Sequence, residues 1–139
     1  MATKLSPYIN FAGNARQAMD FYRSVFGGKL NVGTYKEFGA AQSPEEEDLV
    51  MHAQLDVSAE VTLMAADVPE RRMEYHPGNN FSVSLSGEDE AQLTGYYNKL
   101  ADGGTVTMPL SKAAWGDTFG MCIDRFGISW LVNINAGQN

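Results

Sequence analysis

Imidazole and thiol, side chains with the chemistry to act as bases, nucleophiles or metal donors, are few in this 139-residue chain: two histidines, His52 and His76, and one cysteine, Cys122. His52 sits in an apolar strand pattern with Gln54 and Asp56 on its own face, where it could bind a ligand or act as a general base. The competing assignment is a structural or surface histidine. His76 precedes Pro77-Gly78 in a loop and reads as exposed. Both histidines with one glutamate of the run Glu45-Glu46-Glu47-Asp48 could make an unorthodox metal site. That run follows Ser43-Pro44, reads as a solvated loop, and lacks the spacing of a dedicated calcium loop. Cys122 reads as a small strand residue, and a single cysteine excludes an intramolecular disulfide and any multi-cysteine zinc site. There is no Ser-His-Asp spacing, no phosphate loop and no Gly-x-Gly-x-x-Gly fingerprint.

Binding chemistry is better represented. Trp115, ahead of Gly116-Asp117, is either a core anchor or an aromatic wall at the mouth of a cavity. Tyr8, Met64, Phe119 and Leu131 could line the same space. Asn80 and Asn133 could orient a ligand there, or merely cap strand ends. Asp117 and Asp124 flank a hairpin and are expected to satisfy turn amides.

That hairpin is the most sharply patterned element. Strands Thr118–Asp124 and Ile128–Ile134 are joined by Asp124-Arg125-Phe126-Gly127, with Gly127 supplying a positive φ. Phe119, Met121 and Ile123 alternate with Gly120, Cys122 and Asp124; Ile128, Trp130, Val132 and Ile134 alternate with Ser129, Leu131 and Asn133. The period of two gives one apolar face and one mixed face.

Upstream, residues 5–11 form a first strand, with Pro7 tolerable near its start. Asn14 and Gln17 have capping-box spacing, and Ala15, Ala18, Met19, Tyr22, Val25 and Phe26 make one apolar helical face before Gly27-Gly28. Residues 29–38 read as a strand, 39–48 as a polar loop, and Val50–Val57 and Val61–Ala66 as two more strands. Residues 67–79 form an irregular connection. The order then repeats: strand Phe81–Leu85, a Ser86/Asp89 capping spacing, a helix with Leu93, Tyr96, Tyr97 and Leu100 inward, Gly103-Gly104, strand Thr105–Leu110 and the hairpin. Phe21-Tyr22 to Gly27-Gly28 corresponds to Tyr96-Tyr97 to Gly103-Gly104 with one residue inserted. The chain is therefore expected to be one α+β domain of two βαβββ modules, about 1–67 and 80–139, whose sheets curve around a shared concave space.

A net charge of −7 argues against nucleic acid and anionic membranes as partners. No apolar run approaches the roughly 20 residues that span a bilayer. The start Met-Ala-Thr-Lys-Leu-Ser-Pro has no hydrophobic signal core, which predicts a cytoplasmic protein.

Three stretches carry a resemblance: Tyr8-Ile9-Asn10-Phe11-Ala12-Gly13-Asn14-Ala15 on to Gly27-Gly28; Met51-His52-Ala53 to Leu63-Met64-Ala65-Ala66-Asp67; and Trp115-Gly116 to Asn133. They frame nearly the whole chain. With the βαβββ-βαβββ order, they resemble the PhnB-like, 3-demethylubiquinone methyltransferase-like branch of the vicinal oxygen chelate superfamily, which includes glyoxalase I, bleomycin-resistance proteins and extradiol dioxygenases. The resemblance implies curved mixed sheets around a cavity, a homodimer, and, in active members, a divalent metal that acts as a Lewis acid. Carried onto this sequence, the metal-ligand positions fall at Pro7 or Tyr8, at Asn80 and at Leu131. Proline, asparagine and leucine make no first-row metal site. Nothing resembles a glycine-rich loop for S-adenosylmethionine. The leading expectation is a metal-free protein that binds or sequesters a small molecule, with Tyr8, His52, Met64, Asn80, Trp115, Phe119 and Leu131 as ligand-binding residues. The alternative is a metal-dependent lyase, isomerase or dioxygenase with non-standard ligands.

Overall fold

The computed structural model describes residues 3–72 and 74–136. Residues 1, 2, 73 and 137–139, which belong to the ends of the expected modules and to the expected connection, lie outside the described residues. The chain divides into two compact units, Met1–Pro77 and Gly78–Asn139. Each holds one helix and one four-stranded mixed sheet, so the α+β, twice-βαβββ reading stands.

In the first unit, β1 (Tyr8–Phe11), α1 (Ala15–Phe26), β2 (Lys29–Thr34), β3 (Val50–Asp56) and β4 (Thr62–Asp67) follow in order. The sheet runs β1-β4-β3-β2, with β1 parallel to β4 and the other pairs antiparallel. Strand alternation sorts the residues of β3 and β4. Ala53, Leu55, Leu63 and Ala65 are buried with the α1 residues Ala15, Ala18, Met19, Tyr22 and Val25, while His52, Gln54 and Met64 take the opposite face. Each fully buried large side chain contributes roughly 1.5–3 kcal/mol to the core.

The start of α1 corrects the expected capping box. The Asn14 side chain makes no cap hydrogen bond. Instead Asp67, at the end of β4, accepts from the amides of Gly13 and Ala15, and its other oxygen accepts from Val50 N–H. A carboxylate in this place also meets the positive end of the helix dipole. Strand β2 ends at Thr34, earlier than the expected residue 38, and Tyr35 turns inward to donate its hydroxyl hydrogen to the Asp67 carbonyl. The acidic run is not wholly solvated either. Pro44–Glu46 form a 3-10 turn, and Glu46 is buried because it pairs with Arg71 at 2.7 Å.

The second unit contains β5 (Val83–Gly87), α2 (Glu90–Ala101), β6 (Thr105–Lys112), β7 (Thr118–Ile123) and β8 (Ser129–Ile134). Its sheet runs β5-β8-β7-β6, with β5 parallel to β8. Asp89 is the N-cap of α2 and accepts from Gln92 N–H at 3.0 Å, in place of the expected Ser86/Asp89 box. Leu93, Tyr97, Leu100, Cys122, Trp130, Val132 and Ile134 form the core.

The hairpin register decides which face of β7 is buried. Cys122 lies opposite Trp130 and Gly120 opposite Val132, so the small residues of β7 lie on the buried face. Leu110 and Tyr97 fill the room beside Gly120, and the Tyr97 hydroxyl donates to the Met108 carbonyl at 2.9 Å, with that of Met121 at 3.3 Å. Phe119, Met121 and Ile123 instead share the open face with Leu131 and Asn133. Asp124 accepts from Phe126 N–H, Ile128 N–H and Trp130 Nε1–H, which fixes both the turn and the buried indole.

Candidate functional site

Because each helix covers one face of its own sheet, the other face is where polar and aromatic side chains can stand without being buried in the core. In the first unit that face carries three of the expected ligand residues. Register sets Tyr8 beside Met64, and Met64 beside Gln54. The Tyr8 hydroxyl lies 3.4 Å from His52 Nδ1, with ring centroids 5.8 Å apart. Tyr8 is 47% exposed, and partial desolvation, then the charge of Tyr35, raises its pKa above the ordinary phenol value. Beside this pair, Lys4, Leu5, Ser6, Gln54, Thr62 and Met64 line an open depression. Gln54 Nε2–H donates to Asp56 Oδ1 at 3.0 Å, and the Thr62 hydroxyl reaches the same oxygen at 3.5 Å.

In the second unit Trp115 is 63% exposed and so is not a core anchor. Its ring meets Phe119 edge-on at 5.5 Å between centroids. Its indole N–H donates to Asn133 Oδ1 at 3.3 Å, and Asn133 Nδ2–H donates in turn to Asp117 and Asn135. The Asp117 carboxylate also accepts from Ala136 N–H. The bond from Asn133, then that from the Ala136 amide, holds its pKa below the usual value. Leu131 lies between Met121 and Ser84 on the same face.

The structure thus groups Tyr8, His52 and Met64 in one unit and Trp115, Phe119 and Leu131 in the other. Asn80 joins neither sheet: β5 begins later than expected, at Val83, and Asn80 is an exposed residue in the segment ahead of it. His76 is exposed and faces Glu74 at 3.3 Å. Sequence reasoning passed over Lys4, Ser6 and Thr62, whose types carry no signal of their own, and left Gln54 aside although it sits two residues from His52.

The donor set at the positions the resemblance assigns does not fit a first-row divalent metal. The three positions that would supply ligands hold Tyr8 (or Pro7), Asn80 and Leu131, and leucine has no donor atom. Among the described residues no three His, Cys, Asp or Glu side chains come together.

Residues 3–133 match the family model described as 3-demethylubiquinone-9 3-methyltransferase. The chain belongs to that family. Protein YjdN of Escherichia coli strain K12 is 26% identical over 144 residues, covering 94% of each chain. Among solved structures, protein PA1353 from Pseudomonas aeruginosa is 36% identical with a TM-score of 0.81, over 96% of this chain and 98% of that one. The PhnB protein from Bacillus cereus is 25% identical with a TM-score of 0.74, over 96% and 100%. A member of the glyoxalase/bleomycin resistance protein/dioxygenase superfamily from Sphaerobacter thermophilus, 20% identical, shares the fold at a TM-score of 0.60 over 97% and 98%. This PhnB-like chain therefore has the glyoxalase-superfamily fold. Among its described residues no helix is long and apolar enough to cross a membrane.

Proposed function

We propose that this PhnB-like protein binds a small organic molecule against its open sheet faces and does so without a metal triad. The observation that carries the reading is Trp115: a large aromatic ring, 63% exposed, yet fixed by Phe119 and by the Asn133–Asp117 hydrogen bonds. Holding an exposed indole in one orientation costs side-chain entropy, and a preorganised aromatic wall returns that cost when a flat apolar ligand stacks on it. Tyr8, His52 and Met64 supply the same mixture of ring, polar tip and soft apolar surface on the other sheet. Lewis-acid chemistry has no fitting donor set here, so binding or sequestration is the reading the residues favour.

A thermal-shift screen with aromatic small molecules, repeated on Trp115→Ala, tests it. Hits that raise the melting temperature and quench indole fluorescence, and that lose affinity in the variant, are the expected result. A panel without a single shift sinks the proposal. Native mass spectrometry with added zinc, nickel or manganese reads metal and subunit number together: a metal-free dimer is expected, and one tightly held metal per chain overturns the metal-free part.

A further inference from the structure

We propose that Tyr8, by donating to Nδ1, fixes His52 so that its Nε2–H donates a hydrogen bond to a ketone or carboxylate oxygen of an aromatic small molecule on the open face of the first sheet. The inference rests on the small-molecule reading above and names what that face selects.

The argument begins with one proton. The Tyr8 hydroxyl and His52 Nδ1 approach to 3.4 Å, a long contact that can be shared in two ways. If the phenol donates, the better acid meets the lone pair of an imidazole nitrogen. If Nδ1–H donates, a weak acid meets a phenolic oxygen whose lone pair is drawn into the ring. The first arrangement pairs the stronger donor with the stronger acceptor. It also leaves the one proton of a neutral ring on Nε2, because the two nitrogens of a neutral imidazole divide the donor and acceptor roles. Desolvation of Tyr8 favours its protonated form and so supports the same assignment.

The neighbours decide what that N–H is free to do. One of the two Gln54 Nε2 hydrogens and the Thr62 hydroxyl both turn to Asp56 Oδ1, so part of the donor capacity beside the pair on β3 and β4 is directed at a carboxylate of the chain itself. The His52 N–H adds to the donors that remain on that face, the second Gln54 N–H and, at the rim of the depression, Lys4 and Ser6. Met64, between Tyr8 and Gln54, offers an apolar, polarisable floor for a ring. The charges at the depression and along the neighbouring strand have both signs: Lys4 at the rim, Asp56 holding Gln54 and Thr62, and Lys29 opposite Asp56 in the register. An uncharged carbonyl and a carboxylate are both compatible with that balance, and what they share is an acceptor oxygen next to an aromatic body.

Long-range proton–nitrogen NMR of the histidine rings tests the proton assignment directly. At about pH 8.5, well above the ordinary imidazole value, His52 is expected as the Nε2–H tautomer, and Tyr8→Phe shifts it towards a mixture while His76 stays unchanged. A wild-type His52 carrying its proton on Nδ1 overturns the proposal. Benzoate and acetophenone separate the two oxygen sources, and benzylamine is the donor-bearing control. At least one of the first two should move the His52 ring resonances, and benzylamine should not. Affinity for the active probe should fall about fivefold in His52→Leu, the worth of one hydrogen bond, and hold in His52→Gln, which keeps a donor. If neither oxygen probe moves His52, its donor role is wrong, yet hits from the broader aromatic screen would leave small-molecule binding standing. If that screen is also empty, both readings fail.

Discussion

The carboxylate of Asp67 accepts the amide hydrogen of Ala15 at 3.0 Å and so closes the start of α1 from the end of β4. The same side chain holds Gly13 N–H and Val50 N–H, so helix, first-strand exit and β3 meet on one buried group. Replacing it leaves three amides without that partner. Asp67→Ala is expected to cost about 3 kcal/mol or more, and Asp67→Asn, which keeps one acceptor, about half of that. Urea unfolding measures both, and a loss under about 1 kcal/mol for the alanine variant would show the carboxylate to be incidental.

The paired glycines of the repeat explain themselves in backbone terms. A Cβ on Gly28 would run into the carbonyl of Asp56, and one on Gly104 into that of Ile123. Each glycine thus lets the chain leaving a helix press against the end of the third strand of its own unit. Gly28→Ala and Gly104→Ala should each destabilise by about 2 kcal/mol or more. Gly95, inside α2 with open space at its Cβ, should behave oppositely, and Gly95→Ala should stabilise by roughly 0.5–1 kcal/mol. Thermal unfolding of the three variants checks the pattern of signs.

The repeat, the helices and the order of strands were legible because they rest on local signals: glycine pairs, helical spacing and alternation. What was lost depends on partners distant in sequence. Asn14 had the spacing for a cap, but Asp67 arrives from 52 residues away and takes the amides. In β7 the alternation left open which face is buried; Gly120 and Cys122 take it because Leu110 and, from α2, Tyr97 need the space beside Gly120. Of the side chains on the two open faces, Tyr8, His52, Met64, Trp115 and Phe119 could be picked out by type. Their hydrogen bonds could not, since these link strands separated by long intervals.

Cys122 is buried beside Trp130 in the register, and desolvation first, then the charge of Asp124, pushes its thiol up to about 11. The thiolate is the reactive form, so the native thiol should be inert. Ellman's reagent at about pH 8, below that raised value, should label the protein only after denaturant is added. Prompt stoichiometric labelling of the folded protein would contradict the burial. The shift also has a sign for stability: unfolding releases the thiol to its ordinary value of 9.0. Stability is therefore lost as pH rises above that value, and Cys122→Ala should weaken the decline.

Acid should act on the opposite side of the scale, through Asp117 and Glu46. Hydrogen bonds from Asn133 and the Ala136 amide lower Asp117, and the bond from Arg71 lowers Glu46. Both carboxyls bind protons less readily folded than unfolded, whose ordinary values are 3.8 and 4.5. Their contributions are thus present above those values and disappear as pH falls through the lower folded ones. Wild-type stability should fall as pH drops below about 4.5, and Asp117→Asn and Glu46→Gln should each flatten that slope. Asp117 adds a local signal. Its protonation weakens the bond that orients Asn133 and, through Asn133, the indole of Trp115. Trp115 emission should therefore change with acid before global unfolding, and the change should vanish in Asp117→Asn. Emission that follows the unfolding curve alone would mean that Trp115 is held by Phe119 without help from the polar chain.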